Sequence, residues 1–563
     1  VQDGRPPGEA AGRDIAHRYL ESIRGLDPSA AQALGQDPPS LIPDLGPEAF
    51  AQRRAADGRA LAEISTDLAG DPLTTALAER LTADTALYDS GFTTSLLAPL
   101  ATPVHLLRQV FDDLPADSED DWVRIADHLT AAATGYSRYS DTLGHSARGG
   151  HRVAARQVHG MATAVDSWID PAGTDFYRRL VRGFSGSPSL RARLVAAADQ
   201  VSAAAAGFAE FLRRELLPGA DQSDAVGSEM YQVTSSAFLG ADVDLDELYQ
   251  YGWSELRRLT TAAASVAKRA TGTDDLPSAR QMLDRFPGAT VAVGDELVRW
   301  LQDRLDSTFE ALQGRHFDIP ERGAPVRAAM VTAGSGVMYY APADQALTRP
   351  GRVWWSVPPG TTTVPTWREV SSIHHEGLPG HHLQFAVTSG LEHLHPWQRN
   401  LCHVHGYAEG WAHYAEQLAV ELGLVRGDAE YLGVLDAQIW RAARIVIDLG
   451  LHTGRAIPGG TGLLEERDWT PDVAVEFLAR TAGIDRATAA FEVERYLGWP
   501  GQALAFKVGA RLLDEVRTSR QRLLGSDFDL RAFHRDLLSL GPMGLAPLRK
   551  LLSGADTRSP RHP

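Results

Sequence analysis

Apolar positions recur at three- and four-residue spacing through most of the first 320 or so residues, the pattern of amphipathic helices. "GRDIAHRYLESIRGL", "AQRRAADGRALAEISTDLA", "DDWVRIADHLTAAATGYSRYSDTLG" and "SLRARLVAAADQVSAAAAGFAEFLRREL" each carry it. Pro- and Gly-rich pieces such as "LLAPLATPVH" and "LPGADQSDAVG" separate them. No stretch is a copy of another, so the pattern predicts helices packing on helices and not a repeat array. It changes in "APVRAAMVTAGSGVMYYAPADQALTRPGRVWWSV", where short Val-, Tyr- and Trp-rich runs between turns predict two or three strands. "TWREVSSIHHE" then opens a helix, with Thr366 as N-cap and Glu369 three residues on in capping-box spacing. Helical spacing resumes and continues to the end. The expected fold class is mainly α, with a small β region ahead of that helix.

Composition narrows the chemistry. Of 563 residues only Cys402 is a cysteine, so an intrachain disulfide is excluded and a metal site must use His and carboxylates. The net charge is 55 − 72 = −17 with no basic tract, which argues against nucleic acid as a partner. No apolar run approaches the roughly 18 residues of a membrane span. "VQDGRPPGEAAGRD" lacks the pattern of a signal peptide, so a cytoplasmic location is expected, although a processed N-terminus would read the same. Neither a G-x-S-x-G elbow nor a phosphate loop is found, which speaks against a serine nucleophile and against nucleotide chemistry.

The densest chemistry lies in "SSIHHEGLPGHHLQF", Ser371 to Phe385. On an unbroken helix His375 and His381 are about 9 Å apart along the axis and point about 120° apart. Metal–nitrogen bonds of about 2.1 Å do not reach across that. Gly377, Pro379 and Gly380 are helix breakers. If two residues of Gly-Leu-Pro-Gly bulge out, His375 and His381 regain the effective spacing of H-E-x-x-H, with Glu376 beside the ion as general base. His382 is an alternative ligand to His381. The competing reading is a His-rich helix end whose rings cap carbonyls. In "YAEGWAHYAEQ", Glu409, His413 and Glu416 share one helix face, and one such carboxylate can complete a His₂Glu shell. The competing reading there is a solvated charged face, set against the flanking Tyr407, Trp411 and Tyr414.

"HHEGLPGHHLQ" and "EGWAHYAE" resemble a bacterial family filed as a domain of unknown function and labelled metallopeptidase, with motifs H-E-x-x-P-G-H-H-x-Q and E-G-W-A-x-Y-x-E. "RYLGWPGQALAFKVG", Arg495 to Gly509, is similar to a third motif of that family, R-Y-x-x-x-P-G-Q-A-x-x-Y-K-x-G. "YYAPADQALTRPG" and "FHRDLLSLGPMGLAPLRKLL" are similar to weaker patterns. The match covers roughly residues 225 to 550. The resemblance implies a helical gluzincin-like fold with a deep cleft and one zinc ion per chain. His375, His381 and Glu409 would be the ligands and Glu376 the base. His413 stands where the family has an apolar residue, and Phe506 where it has Tyr.

The expected layout is a helical region 1–225 forming one cleft wall, a metallohydrolase region 226–550, and a disordered tail 551–563. An oxyanion donor is expected beside the metal, and Tyr496 is the first candidate. Tyr339, Tyr340, His452, Arg444 and Lys507 are candidates for substrate binding; Arg444 has the fork for a substrate carboxylate. "RVWWSV", Arg352 to Val357, is expected as an edge strand that aligns extended peptide. The function expected is hydrolysis of a peptide or peptide-like amide. Its rivals are a small-molecule tailoring step on the same site and a non-catalytic binding protein with a relic metal site. Iron is the rival metal, because His₂Glu also suits a facial triad.

Overall fold

The computed structural model describes residues 7–553 except 39, 66, 67, 69, 113, 171–174, 322, 324, 332–337, 344–348, 359 and 461–466. Residues 554–563 of the tail expected to be disordered lie outside the described residues, as do parts of the predicted strand region. The chain divides into two compact units. The first is Val1–Ala237 with Leu451–Thr453 and Ala490–Pro500; the second is the remainder. The third family-like motif therefore contributes Arg495–Pro500 to one unit and Gly501–Gly509 to the other.

The first unit is helical, as the apolar spacing predicts. Its longest helix, Glu119–Arg148, begins with a capping box between Ser118 and Asp121 and buries a stripe that includes Ile125, Leu129, Tyr136 and Tyr139. That stripe packs on Pro188–Phe211, whose Leu194, Val201 and Phe208 face it in one core.

The second unit carries the small β region and seven helices used below: α1 (Leu245–Thr271), α2 (Asp295–Leu312), α3 (Thr366–Glu376), α4 (His381–Gly390), α5 (His405–Glu421), α6 (Gly427–Thr453) and α7 (Ala505–Leu524). The last three residues of α6 belong to the first unit. Strands β1 (Thr290–Ala292) and β5 (Thr363–Pro365) pair antiparallel. Strands β2 (Val326–Met330), β3 (Tyr339–Ala341) and β4 (Gly351–Trp355) form a sheet in the order β2-β4-β3. Val326 is opposite Gly351 in a parallel pair, and Tyr339 is opposite Trp354 in an antiparallel one. The expected edge strand is thus the central one. Both hydrogen-bonding edges of β4 are taken, so it has none to offer a peptide. Val353 and Trp355 pack with Leu297, Leu301 and Leu305 of α2 and with Ile373 of α3. That core fixes α3, which β5 enters directly.

The capping box expected at the start of α3 does not form. Pro365 is the N-cap, and the Thr366 hydroxyl donates to the carbonyl of Ala289 at 3.0 Å. The Glu369 carboxylate instead accepts from the Trp355 indole at 2.8 Å, drawn inward by the sheet.

Candidate metal centre

The histidine segment does not bulge within one helix; it breaks into two. Helix α3 ends at Glu376 and α4 starts at His381, with Gly377–Gly380 between. Tertiary contacts hold the break. His374 Nδ1 donates to the Leu378 carbonyl at 2.8 Å, and the Trp411 indole donates to the Pro379 carbonyl at 2.9 Å. Gly380 has to be glycine: a Cβ there would stand 2.0 Å from the His375 carbonyl oxygen and 2.3 Å from that of His374. This close return brings the His375 and His381 rings to 4.9 Å between centroids, at 86°.

Helix α5 supplies the carboxylate. Glu409 Oε2 lies 3.2 Å from His375 Nε2 and 3.6 Å from His381 Nε2. One donor atom from each of the three residues falls within 4.8 Å of the others, and this is the one such group among the described residues. A tetrahedral ion with bonds of about 2.1 Å needs donors ~3.4 Å apart. The two separations bracket that value, so these residues fit a zinc-sized ion. The other nitrogen of His375, Nδ1, donates to Glu416 Oε1 at 2.7 Å. A carboxylate behind a ligating imidazole orients the ring and fixes its tautomer. Glu416 is fully buried and also accepts from the Ser371 hydroxyl at 2.8 Å. Its position seven residues after Glu409, on the same helix face, was the sequence signal for this role.

Charge in the site follows from burial and pairing. Burial opposes a charged His375, but its hydrogen bonds to Glu409 and Glu416 outweigh that and raise it to about 9. Burial likewise opposes ionised Glu409, yet its bonds to His375 and His381 hold it well below the usual carboxylate range. Glu376 moves the other way: burial pushes its carboxyl up, against the attraction of His375 and His381. A carboxylate whose proton affinity burial raises is a stronger proton acceptor, which is what a general base needs. Buried His374 falls to about 4, chiefly by desolvation, and stays neutral.

The remaining sequence candidates take different places. His382 is not one of the three grouped donors, and its Nδ1 lies 3.0 Å from the Tyr340 hydroxyl. Tyr339 is 41% exposed and stacks on Trp354. Phe506 of α7 stacks on His375 with ring centroids 5.9 Å apart, and the Arg444 guanidinium lies 4.4 Å from the Phe506 ring centre. Arg441, one turn earlier on α6, reaches to 3.9 Å from Glu416. Helix α7 comes this close because glycines meet at its crossing with α5: a Cβ on Gly410 would stand 2.6 Å from the Gly509 Cα. Lys507 pairs with Glu255 at 3.1 Å and donates to Gln438 at 2.8 Å. Tyr496 and His452 belong to the first unit. There the Tyr496 hydroxyl donates to Glu492 at 2.7 Å, and His452 Nε2 donates to the Tyr496 carbonyl at 3.0 Å.

Residues 28–552 match the family described as bacterial proteins of unknown function, DUF885. The chain belongs to this family. No curated protein matches it. Among solved structures, DUF885 architecture recurs in a "putative lipoprotein" from Colwellia psychrerythraea, 20% identical over 97% of this chain and 98% of that one, with a TM-score of 0.82. A "putative lipoprotein of unknown function" from Shewanella oneidensis is 16% identical over 96% and 99%, with a TM-score of 0.70. At these identities the likeness concerns the fold. Among the described residues, no helix of this DUF885 chain is long and apolar enough to cross a membrane.

Proposed function

We propose that the protein is a zinc-dependent hydrolase of peptide or peptide-like amide bonds, working at His375, His381 and Glu409. The observation that carries this reading is the donor geometry, 3.2 and 3.6 Å about one centre, with Glu376 next to His375 in sequence and coupled by charge to His375 and His381. When bound, the ion would polarise the scissile carbonyl and make water acidic enough to lose a proton near neutral pH. Glu376 takes that proton and passes it to the leaving nitrogen. Glu416 holds His375 in the tautomer that leaves Nε2 free to ligate. The guanidinium of Arg444, over Phe506 beside His375, favours a substrate with a carboxylate near the scissile bond. A cytoplasmic location is likewise proposed, and fractionation of the native host decides it.

The test combines metal content and activity. The wild type should hold about one zinc per chain by mass spectrometry, and His375→Ala and Glu409→Ala should lose it with circular dichroism unchanged. Glu376→Gln should keep zinc and lose on the order of 10²–10⁴-fold in hydrolysis of a peptide library. Zinc bound with Glu376→Gln fully active would refute the mechanism and favour a relic site. Iron in the same shell would redirect the search to oxidation.

A further inference from the structure

A cavity of about 650 Å³ lies among α1, α5, α6 and α7. None of His375, His381 and Glu409 lines it, but His413 does. A row of buried polar side chains runs from it to the metal centre. His375 Nδ1 is 2.7 Å from Glu416 Oε1, His413 Nδ1 is 3.3 Å from the same oxygen, and Gln438 follows 3.4 Å from His413. Lys507 then donates to Gln438 and pairs with Glu255. The proposed hydrolysis uses nothing beyond Glu416 on this line.

The cavity wall has a defined chemistry. At its inner end Glu255 is shared by two cations, Lys507 at 3.1 Å and Arg258 at 2.8 Å. Two guanidinium or ammonium groups against one carboxylate leave a positive surplus, which a ligand carboxylate neutralises. His413 Nδ1 faces the Glu416 carboxylate and so donates to it. At the outer end Asp514 is exposed, and it can receive an ammonium group. Lys507 and Asp514 lie seven residues apart on α7, roughly 10 Å along the axis. An extended chain covers that distance in about three residues. The volume is also within the ordinary range for small-molecule pockets, roughly 300–1,000 Å³.

We propose that this cavity is a second binding site, separate from the metal centre, for a short zwitterionic peptide of two or three residues. The peptide lies with its carboxylate at Lys507 and Arg258 and its ammonium at Asp514. Because His413 rests on Glu416, an occupant is read by the same carboxylate that orients His375. The site would sense peptides of the class the proposed hydrolase releases or takes in; that link rests on the hydrolytic reading, whereas binding itself does not.

The test is calorimetric titration of trialanine into full-length, zinc-stripped Glu376→Gln protein, so that turnover plays no part. Saturable binding of one peptide per chain is expected. N-acetyl-trialanine amide, which lacks both charges, should bind at least tenfold more weakly. Asp514→Asn, at an exposed position, should weaken trialanine about tenfold, and Arg258→Met should do the same from the other end. No binding, equal binding of the blocked peptide, or unchanged affinity in both variants would overturn the proposal. Since zinc and Glu376 are absent from the assay, loss of the hydrolytic reading would leave this result standing, and the reverse.

Discussion

Gly380→Ala isolates the geometry on which the metal centre depends. The added methyl would sit 2.0 Å from the His375 carbonyl oxygen and 2.3 Å from that of His374. Ordinary carbon–oxygen contact begins near 3.2 Å, so the backbone has to open by about 1.2 Å. Both clashing atoms are main chain at the end of α3, and no side-chain rotation relieves them. His381 is the next residue, so the opening moves it away from His375. A zinc–nitrogen bond is about 2.1 Å, and a donor displaced by 1 Å or more no longer bonds. We expect 1–3 kcal/mol of lost stability from the strain. We also expect zinc affinity to fall at least about 100-fold, about 2.7 kcal/mol, as one of three protein ligands is lost. Competition against a chromophoric chelator gives the affinity, and urea unfolding gives the stability. Gly390→Ala at the far end of α4 is the control: its Cβ meets only Pro320, at 3.5 Å, and should change neither. A Gly380→Ala protein that is destabilised but binds zinc as tightly as the wild type would refute the claim that the break sets the ligand spacing.

Glu416→Ala should lower zinc affinity 10- to 100-fold while leaving all three ligands present, measured by the same competition. Undiminished affinity would remove Glu416 from the site's support. The Glu369 carboxyl, buried against the Trp355 indole, is pushed up to about 7, first by desolvation. A carboxyl raised in the folded state costs stability as pH climbs from its unfolded value, ~4.3, to about 7. Glu369→Gln should therefore gain on the wild type across that window, by at most about 4 kcal/mol at pH 8, and urea midpoints that shift in parallel would contradict this. Arg280 makes a buried two-bond pair with Asp436 at 2.7 and 2.9 Å. Arg280→Met should cost about 3–5 kcal/mol and Arg280→Met/Asp436→Leu much less, because the single change strands a buried charge; equal losses in thermal unfolding would argue against it.

Helical spacing alone made the mainly α fold legible, since a 3.6-residue period needs no partner to be recognised. The histidines, the breaking residues between them and the carboxylate face of "EGWAHYAE" were legible too. Their chemistry is local: side-chain type, helix breaking and the i, i+4, i+7 register. What spacing does not contain is the path of the break. A bulge in one helix was the natural expectation, but two helices form because His374 and the distant Trp411 hold the carbonyls of the turn. The same limit applies to Thr366 and Glu369, whose capping spacing was overridden by Ala289 and Trp355. It applies to the Arg352–Val357 run, which reads alike as edge or centre until its neighbours are known. Lys507 and His413 looked like residues of one cleft, and packing put them on the wall of another cavity. Local pattern is determined by the chain because neighbouring residues share a backbone geometry. Which groups finally meet was decided by packing between helices tens of residues apart, where close passages such as Gly410 on Gly509 choose the partners.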